Sequence, residues 1–236
     1  MPEPRLKNRI ALVTGASRGI GRAVALAYAR EGAHVIALAR SAGALEDLDD
    51  EIKDLGATAT LLRLNLTQGD KIDALGPTIL ERFGQLDILV GNAGVLGPLS
   101  PLGHISERDW NEVLEVNLSA NWRLIRTADP LLRRSDAGRA IFITSGAAKK
   151  CRAYWGPYSI SKAALEALVK TYAAEVSDSS VRANLISPGP VATAMRAKAM
   201  PGEDPATLPK PEDLAETFVQ LALPECTDNG KIIQYR

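Results

Sequence analysis

Tyr158 and Lys162 stand four residues apart in "WGPYSISKAAL" (155–165), immediately before an apolar helical run. Residues four apart share one face of a helix, so phenol and ammonium can lie one turn from each other. A tyrosine phenol has a reference pKa of about 10, too high for efficient proton exchange near neutrality. A neighbouring ammonium favours the phenolate and lowers that value. Such a pair can hand a proton to a carbonyl oxygen on which negative charge develops as hydride arrives. Ser145, closing the apolar run 139–145, can hydrogen-bond the same oxygen. Pro157 has a structural explanation, because its missing N–H costs little in a first helical turn.

A hydride needs a donor, and "TGASRGIG" (14–21) is suited to hold one. Gly15, Gly19 and Gly21 fall where a first strand turns into a first helix. There the chain can present backbone N–H groups and a helix N-terminus to a phosphate, with Ser17, Arg18 and Ile20 in the same turn. The spacing G-x-x-x-G-x-G differs from the commoner G-x-G-x-x-G dinucleotide fingerprint. At the end of the second strand an acidic residue would bind the adenosine ribose 2′-hydroxyl. Here Ala39 occupies that place, Arg40 follows, and no acid comes before Glu46. Arginine binds a 2′-phosphate that an aspartate would repel, so NADP(H) is preferred and NAD(H) is the remaining alternative.

These residues need a frame that delivers strand ends and helix starts to one place. The runs 10–15, 34–39, 58–65, 86–94, 139–145 and 181–189 read as strands without in/out alternation, as expected where helices cover both faces of a parallel sheet. Helical spacing fills 19–31, 43–55, 68–83, 107–134, 157–177 and 211–222. That alternation predicts an α/β fold: a single doubly wound Rossmann-type domain over 1–236, with helices on both faces of a mostly parallel sheet. The stretch 190–210 carries four prolines, which argue against a continuous helix. Its place after a strand's carboxyl end marks it as the loop that selects substrate.

Composition narrows the function classes. Lys plus Arg equals Asp plus Glu at 28 each, so no net field draws the chain to nucleic acid or an anionic membrane. No segment approaches the roughly 18 apolar residues of a membrane span, and the polar N-terminus lacks the regions of a secretory signal. Cys151 and Cys226 have no metal-ligand spacing, so no metal is expected and a cytoplasmic location fits. Cys151 is expected to be a buried or half-buried thiol without chemistry. Tyr154 and Trp155 are expected at a pocket wall or packing contact, and His34 and His104 in structural or surface roles.

The ordered motifs "TGASRGIG", "GNAG" (91–94), "VNLS" (116–119), Ser145, "YSISK" (158–162) and "PGPVAT" (188–193) resemble the short-chain dehydrogenase/reductase family, including its 3-oxoacyl reductases. The resemblance spans 8 to about 193. It implies a seven-stranded sheet, a catalytic tetrad on Asn117, Ser145, Tyr158 and Lys162, and an NADP-dependent oxidoreductase acting on a small carbonyl or secondary alcohol. Asn117 would hold a water linking Lys162 to solvent, while Tyr158 and Lys162 would also meet the cofactor. By the same comparison Asn65 and Leu66 lie near adenine and Asn92, Ala93 and Gly94 beside the adenosine ribose. Pro188, Gly189, Val191 and Thr193 would cradle the nicotinamide. The frequent Asn-Asn pair is Gly91-Asn92 here, which weakens a polar link of the sheet. A short C-terminal strand over 231–234 ends the chain, without the Asp-Gly-Gly segment that packs at a subunit interface in many relatives. That departure favours a dimer through 107–134 and 157–177 over a tetramer. The rival reading is an idle dinucleotide-binding sensor or scaffold, which a complete tetrad disfavours.

Overall fold

The computed structural model describes residues 3–235. Strand and helix alternate along the chain. In order they are β1 (Ile10–Thr14), α1 (Gly19–Arg30), β2 (His34–Ala39), α2 (Ala42–Asp54) and β3 (Ala59–Arg63). Next come α3 (Gly69–Asp73), α4 (Leu75–Phe83), β4 (Ile88–Gly91), α5 (Glu107–Leu114) and α6 (Ala120–Leu132). The chain closes with β5 (Arg139–Ile143), α7 (Ala147–Lys150), α8 (Gly156–Glu175), β6 (Arg182–Ser187), α9 (Ala194–Ala199), α10 (Ala215–Ala222) and β7 (Ile232–Gln234).

All six strand pairs are parallel, in the order β3-β2-β1-β4-β5-β6-β7. Successive strand side chains point to opposite faces, and both faces are covered. Val13, Val35, Ala37, Val90 and Ile141 pack toward α1, α2 and α10. Leu12, Ile36, Leu38, Leu89 and Phe142 pack toward α4, α6 and α8. Hence β1, β4 and β5 are buried almost throughout, whereas the edge strand β3 is only half-buried. Strand order reverses between β1 and β4, which opens a crevice at the strands' carboxyl ends.

Three expected elements differ in detail. The helix expected over 107–134 is interrupted by a π-helical turn at Glu115–Ser119, whose extra residue shifts the face that α6 presents. The helix expected over 68–83 is two helices meeting at Ala74, ended by Gly84 at φ +76°. The stretch 190–210 is not a bare loop. Thr193 Oγ1 accepts from Arg196 N and caps α9, and the Arg196 guanidinium pairs with Glu203 (Nη2 to Oε1 2.6 Å). Ala192 N donates to Pro209 O at 2.9 Å, which ties the two ends of the stretch together.

Candidate active site

The crevice is a cavity of about 770 Å³ over the carboxyl ends of the central strands. One end is bounded by Leu38, Ala39, Arg40, Leu64, Asn65 and Leu66, and the floor by Gly15, Ser17, Arg18, Gly19 and Ile20. Asn92, Ala93 and Gly94 line it beyond β4. Ser145, Tyr158 and Lys162 converge on it with Pro188, Gly189, Val191 and Thr193. Of the residues expected at the site, Gly21 and Asn117 lie behind the lining.

Gly21 acts through what it lacks. A Cβ there would sit 2.3 Å from both Gly15 O and Asn92 Nδ2, so the turn could not close against β4. Asn92 is the rivet: Nδ2 donates to Thr14 O at 2.7 Å and Gly15 O at 3.2 Å, and its N–H donates to Thr14 Oγ1 at 3.0 Å. One asparagine thus carries the polar link expected to be weak. Gly91 replaces its usual partner because a Cβ there would meet Phe142 and Asn121 at 2.3 and 2.5 Å. Gly15 and Gly19 adopt positive φ of 65° and 56°, open to glycine at no steric cost. A Cβ on Gly19 would lie 3.6 Å from the Thr193 methyl, so the turn and the residue capping α9 face each other.

These features fit a dinucleotide phosphate. The 12-residue helix α1 starts at Gly19 with no acidic residue in its first turn, and Arg18 and Arg40 are exposed. Ser41, the N-cap of α2, lines the cavity and makes no side-chain cap bond, which leaves its hydroxyl available beside Arg40. Its position directly after Arg40 was the missed signal in the sequence.

At the chemical end, the Trp155 ring meets Tyr158 edge-on at 6.1 Å, and Lys162 Nζ lies 5.8 Å from the phenol ring centroid. Lys162 Nζ donates to Ile143 O at 2.7 Å. Burial pushes the Lys162 ammonium down to about 8, since a desolvated charge is unfavourable. Burial pushes the Tyr158 phenol up, opposed by a hydrogen bond with Ser145. This reverses the expected downward shift. Desolvation dominates the phenol, and the ammonium 5.8 Å from the ring is not among the groups that move it.

Asn117 is held by its neighbours. Its Oδ1 accepts from Val95 N at 2.8 Å, and its Nδ2 donates to Val95 O and Ser161 Oγ at 2.9 and 3.0 Å. That side-chain amide therefore has protein partners at both ends, and it fixes the 94–95 segment against α8. A Cβ on Gly94 would lie 3.3 Å from Asn117 Oδ1 and 3.7 Å from Lys162 Nζ, so the segment passes close to both side chains.

Cys151 corrects another expectation. It is exposed rather than buried, at φ 42° where it ends the four-residue helix α7. Trp155 does line the cavity, while Tyr154 is 60% exposed at φ 71°. His34 is held between Thr58 and Thr60 hydroxyls, and His104 is exposed. Arg196, within the stretch expected to select substrate, lines the cavity, and so do Pro211 and Glu212, which were not expected there. They lie in or beside the proline-rich stretch, where position alone pointed to the site. Among the described residues no helix is long and apolar enough to cross a membrane.

Comparison with known proteins agrees with this geometry. The family model described as short chain dehydrogenase matches residues 9–204. The uncharacterised oxidoreductase YciK of Escherichia coli is 37% identical over 219 residues, covering 92% of this chain and 86% of that protein. The 3-oxoacyl-acyl-carrier-protein reductase FabG of Salmonella typhimurium is 36% identical over 189 residues, covering 80% and 76%. A short chain dehydrogenase from Escherichia coli CFT073 complexed with NADPH superimposes with a TM-score of 0.93 at 36% identity, over 99% of each chain. One from Shigella flexneri complexed with NADP gives 0.94 at 35%, over 98% of each.

Proposed function

This chain belongs to the short-chain dehydrogenase family of oxidoreductases, and on that premise we propose that it transfers hydride between NADP(H) and a carbonyl or secondary alcohol. The observation that carries the reading is the convergence of the glycine turn, Arg40 and the Ser145-Tyr158-Lys162 group on one crevice. Two structures of the same architecture, one complexed with NADPH and one with NADP, support the choice of cofactor.

When bound, the cofactor supplies the hydride. Arg18, Arg40, Ser41 and the start of α1 hold its phosphates, and Thr193 approaches from the opposite wall. Ser145 donates to the substrate oxygen and fixes it beside Tyr158. Burial keeps the phenol protonated at neutral pH, the form needed to give a proton to the nascent alkoxide. Lys162, one helical turn away, supplies the proton that restores the phenol. The stretch over 194–203, stiffened by Arg196 and Glu203, covers the substrate end.

Incubation with NADPH and a panel of acyl, steroid, quinone and small keto substrates tests the reading through loss of nicotinamide absorbance. Tyr158→Phe is expected to lower turnover at least about a hundredfold, the scale of a lost general acid, while NADPH binding stays within a few-fold. Undiminished turnover in that variant would remove Tyr158 from the mechanism.

A further inference from the structure

The catalytic helix and the strand that carries Ser145 must keep a fixed register, or phenol and hydroxyl cannot meet one substrate oxygen. Two polar ties from successive turns of α8 hold the end of β5. Lys162 Nζ donates to Ile143 O at 2.7 Å, and Glu166 Oε1 accepts from Thr144 Oγ1 at 2.8 Å. Thr144 is also pinned from β6, since its N–H donates to Ile186 O at 2.9 Å. Glu166 is 9% exposed and Thr144 1%, and Glu166 forms no ion pair among the described residues. A buried carboxyl group without a cation is costly. It needs a purpose that an apolar side chain at that helix position would not serve.

We propose that Glu166 is a positioning residue, which through Thr144 holds Ser145 in register with Tyr158. Lys162 cannot be the lasting tie, because the reaction proposed above turns its ammonium to proton traffic. Glu166, one turn farther along α8, takes no part in the chemistry and keeps strand and helix together while Lys162 works. Ser145 follows Thr144 directly, so a shift of Thr144 reaches the hydroxyl without any intervening segment to absorb it. This inference rests on the carbonyl-reductase reading.

The test compares Thr144→Val, which removes the donor at constant shape, with Glu166→Leu, Glu166→Gln and the double variant Thr144→Val/Glu166→Leu. Misplacing reacting groups by an ångström costs up to about a hundredfold, so each of Thr144→Val and Glu166→Leu is expected to lower kcat about tenfold with KM and NADPH affinity unchanged. The double variant is expected to be no slower than the worse single, because both break one contact. Glu166→Gln keeps an oxygen acceptor and is expected to recover kcat to within about twofold of wild type. Unchanged kcat in Thr144→Val overturns the proposal, and so does a glutamine variant as slow as the leucine one. Thr144→Val decides the matter should Glu166→Leu fail to fold. Wild-type turnover is measured first, and its absence across the substrate panel counts against the reductase reading alone. The positioning claim then rests on the 13Cζ chemical shift of Tyr158, which is expected to move in Thr144→Val and return in Glu166→Gln; an unmoved resonance overturns it.

Discussion

At the scale of single residues, Lys162 carries the most informative electrostatics. Its ammonium is fully buried and held to about 8, against about 10.4 for a lysine in the unfolded chain. Between those values the unfolded chain binds the proton and the folded one does not, so this group makes stability rise with pH from about 8 to 10.4. Below 8 both states hold the proton, and the full desolvation penalty is present. Wild type is therefore expected to gain up to about 3 kcal/mol on Lys162→Met between pH 7 and pH 10. Denaturant unfolding of both proteins at the two pH values checks this, and a constant difference between them would contradict the buried ammonium. Tyr158 lies in the same apolar surroundings but shifts the opposite way, because burial penalises its anion. Both shifts favour neutral side chains.

At the scale of elements, the β1–α1 turn works because backbone passes within contact distance of backbone. Gly21→Ala places a methyl 2.3 Å from Gly15 O and Asn92 Nδ2. Gly15 O is backbone and cannot swing aside, so the turn must open. The expected cost is about 1–3 kcal/mol of stability, with NADPH affinity lost more than tenfold as the phosphate donors move. Thermal unfolding and NADPH fluorescence titration read the two effects, and a variant binding NADPH normally would show that the closure of this turn is not what shapes the site. The π-helical turn at Glu115–Ser119 serves a related end. It sets Asn117 where its amide can clasp both the Val95 backbone and Ser161 of α8. The motif "VNLS" was readable in the sequence, whereas the clasp was not, because its partners lie 22 and 44 residues away.

At the scale of the whole molecule, cofactor choice and assembly can be measured without knowing the substrate. A ligand that binds the folded state stabilises it by mass action, so NADPH is expected to raise Tm more than NADH at equal concentration. Ala39→Asp with Arg40→Ala is expected to reverse that order, by placing an anion where the 2′-phosphate would lie. Equal shifts in wild type would count against the site assigned to Arg40. Trp122 on α6 and Ile160 on α8 are 44% and 40% exposed. Large apolar side chains on the two helices expected to meet a second copy make a dimer the expected mass by light scattering at micromolar concentration; a monomer would reject it.

The sequence by itself determined the parallel α/β framework and the glycine turn, and it singled out Ser145, Tyr158 and Lys162, which line one crevice. These rest on short-range physics: the period of apolar residues, the backbone freedom of glycine and the four-residue spacing on one helix face. Only the tertiary structure decided what surrounds them. It showed Phe142 filling the space beside Gly91, Asn92 riveting β4 to the turn, and Arg196 with Glu203 stiffening the stretch that reads as loop. It also set the direction in which the Tyr158 phenol shifts and joined Glu166 to Thr144. Burial and long-range hydrogen bonds depend on which elements pack together. No local window of sequence contains that information.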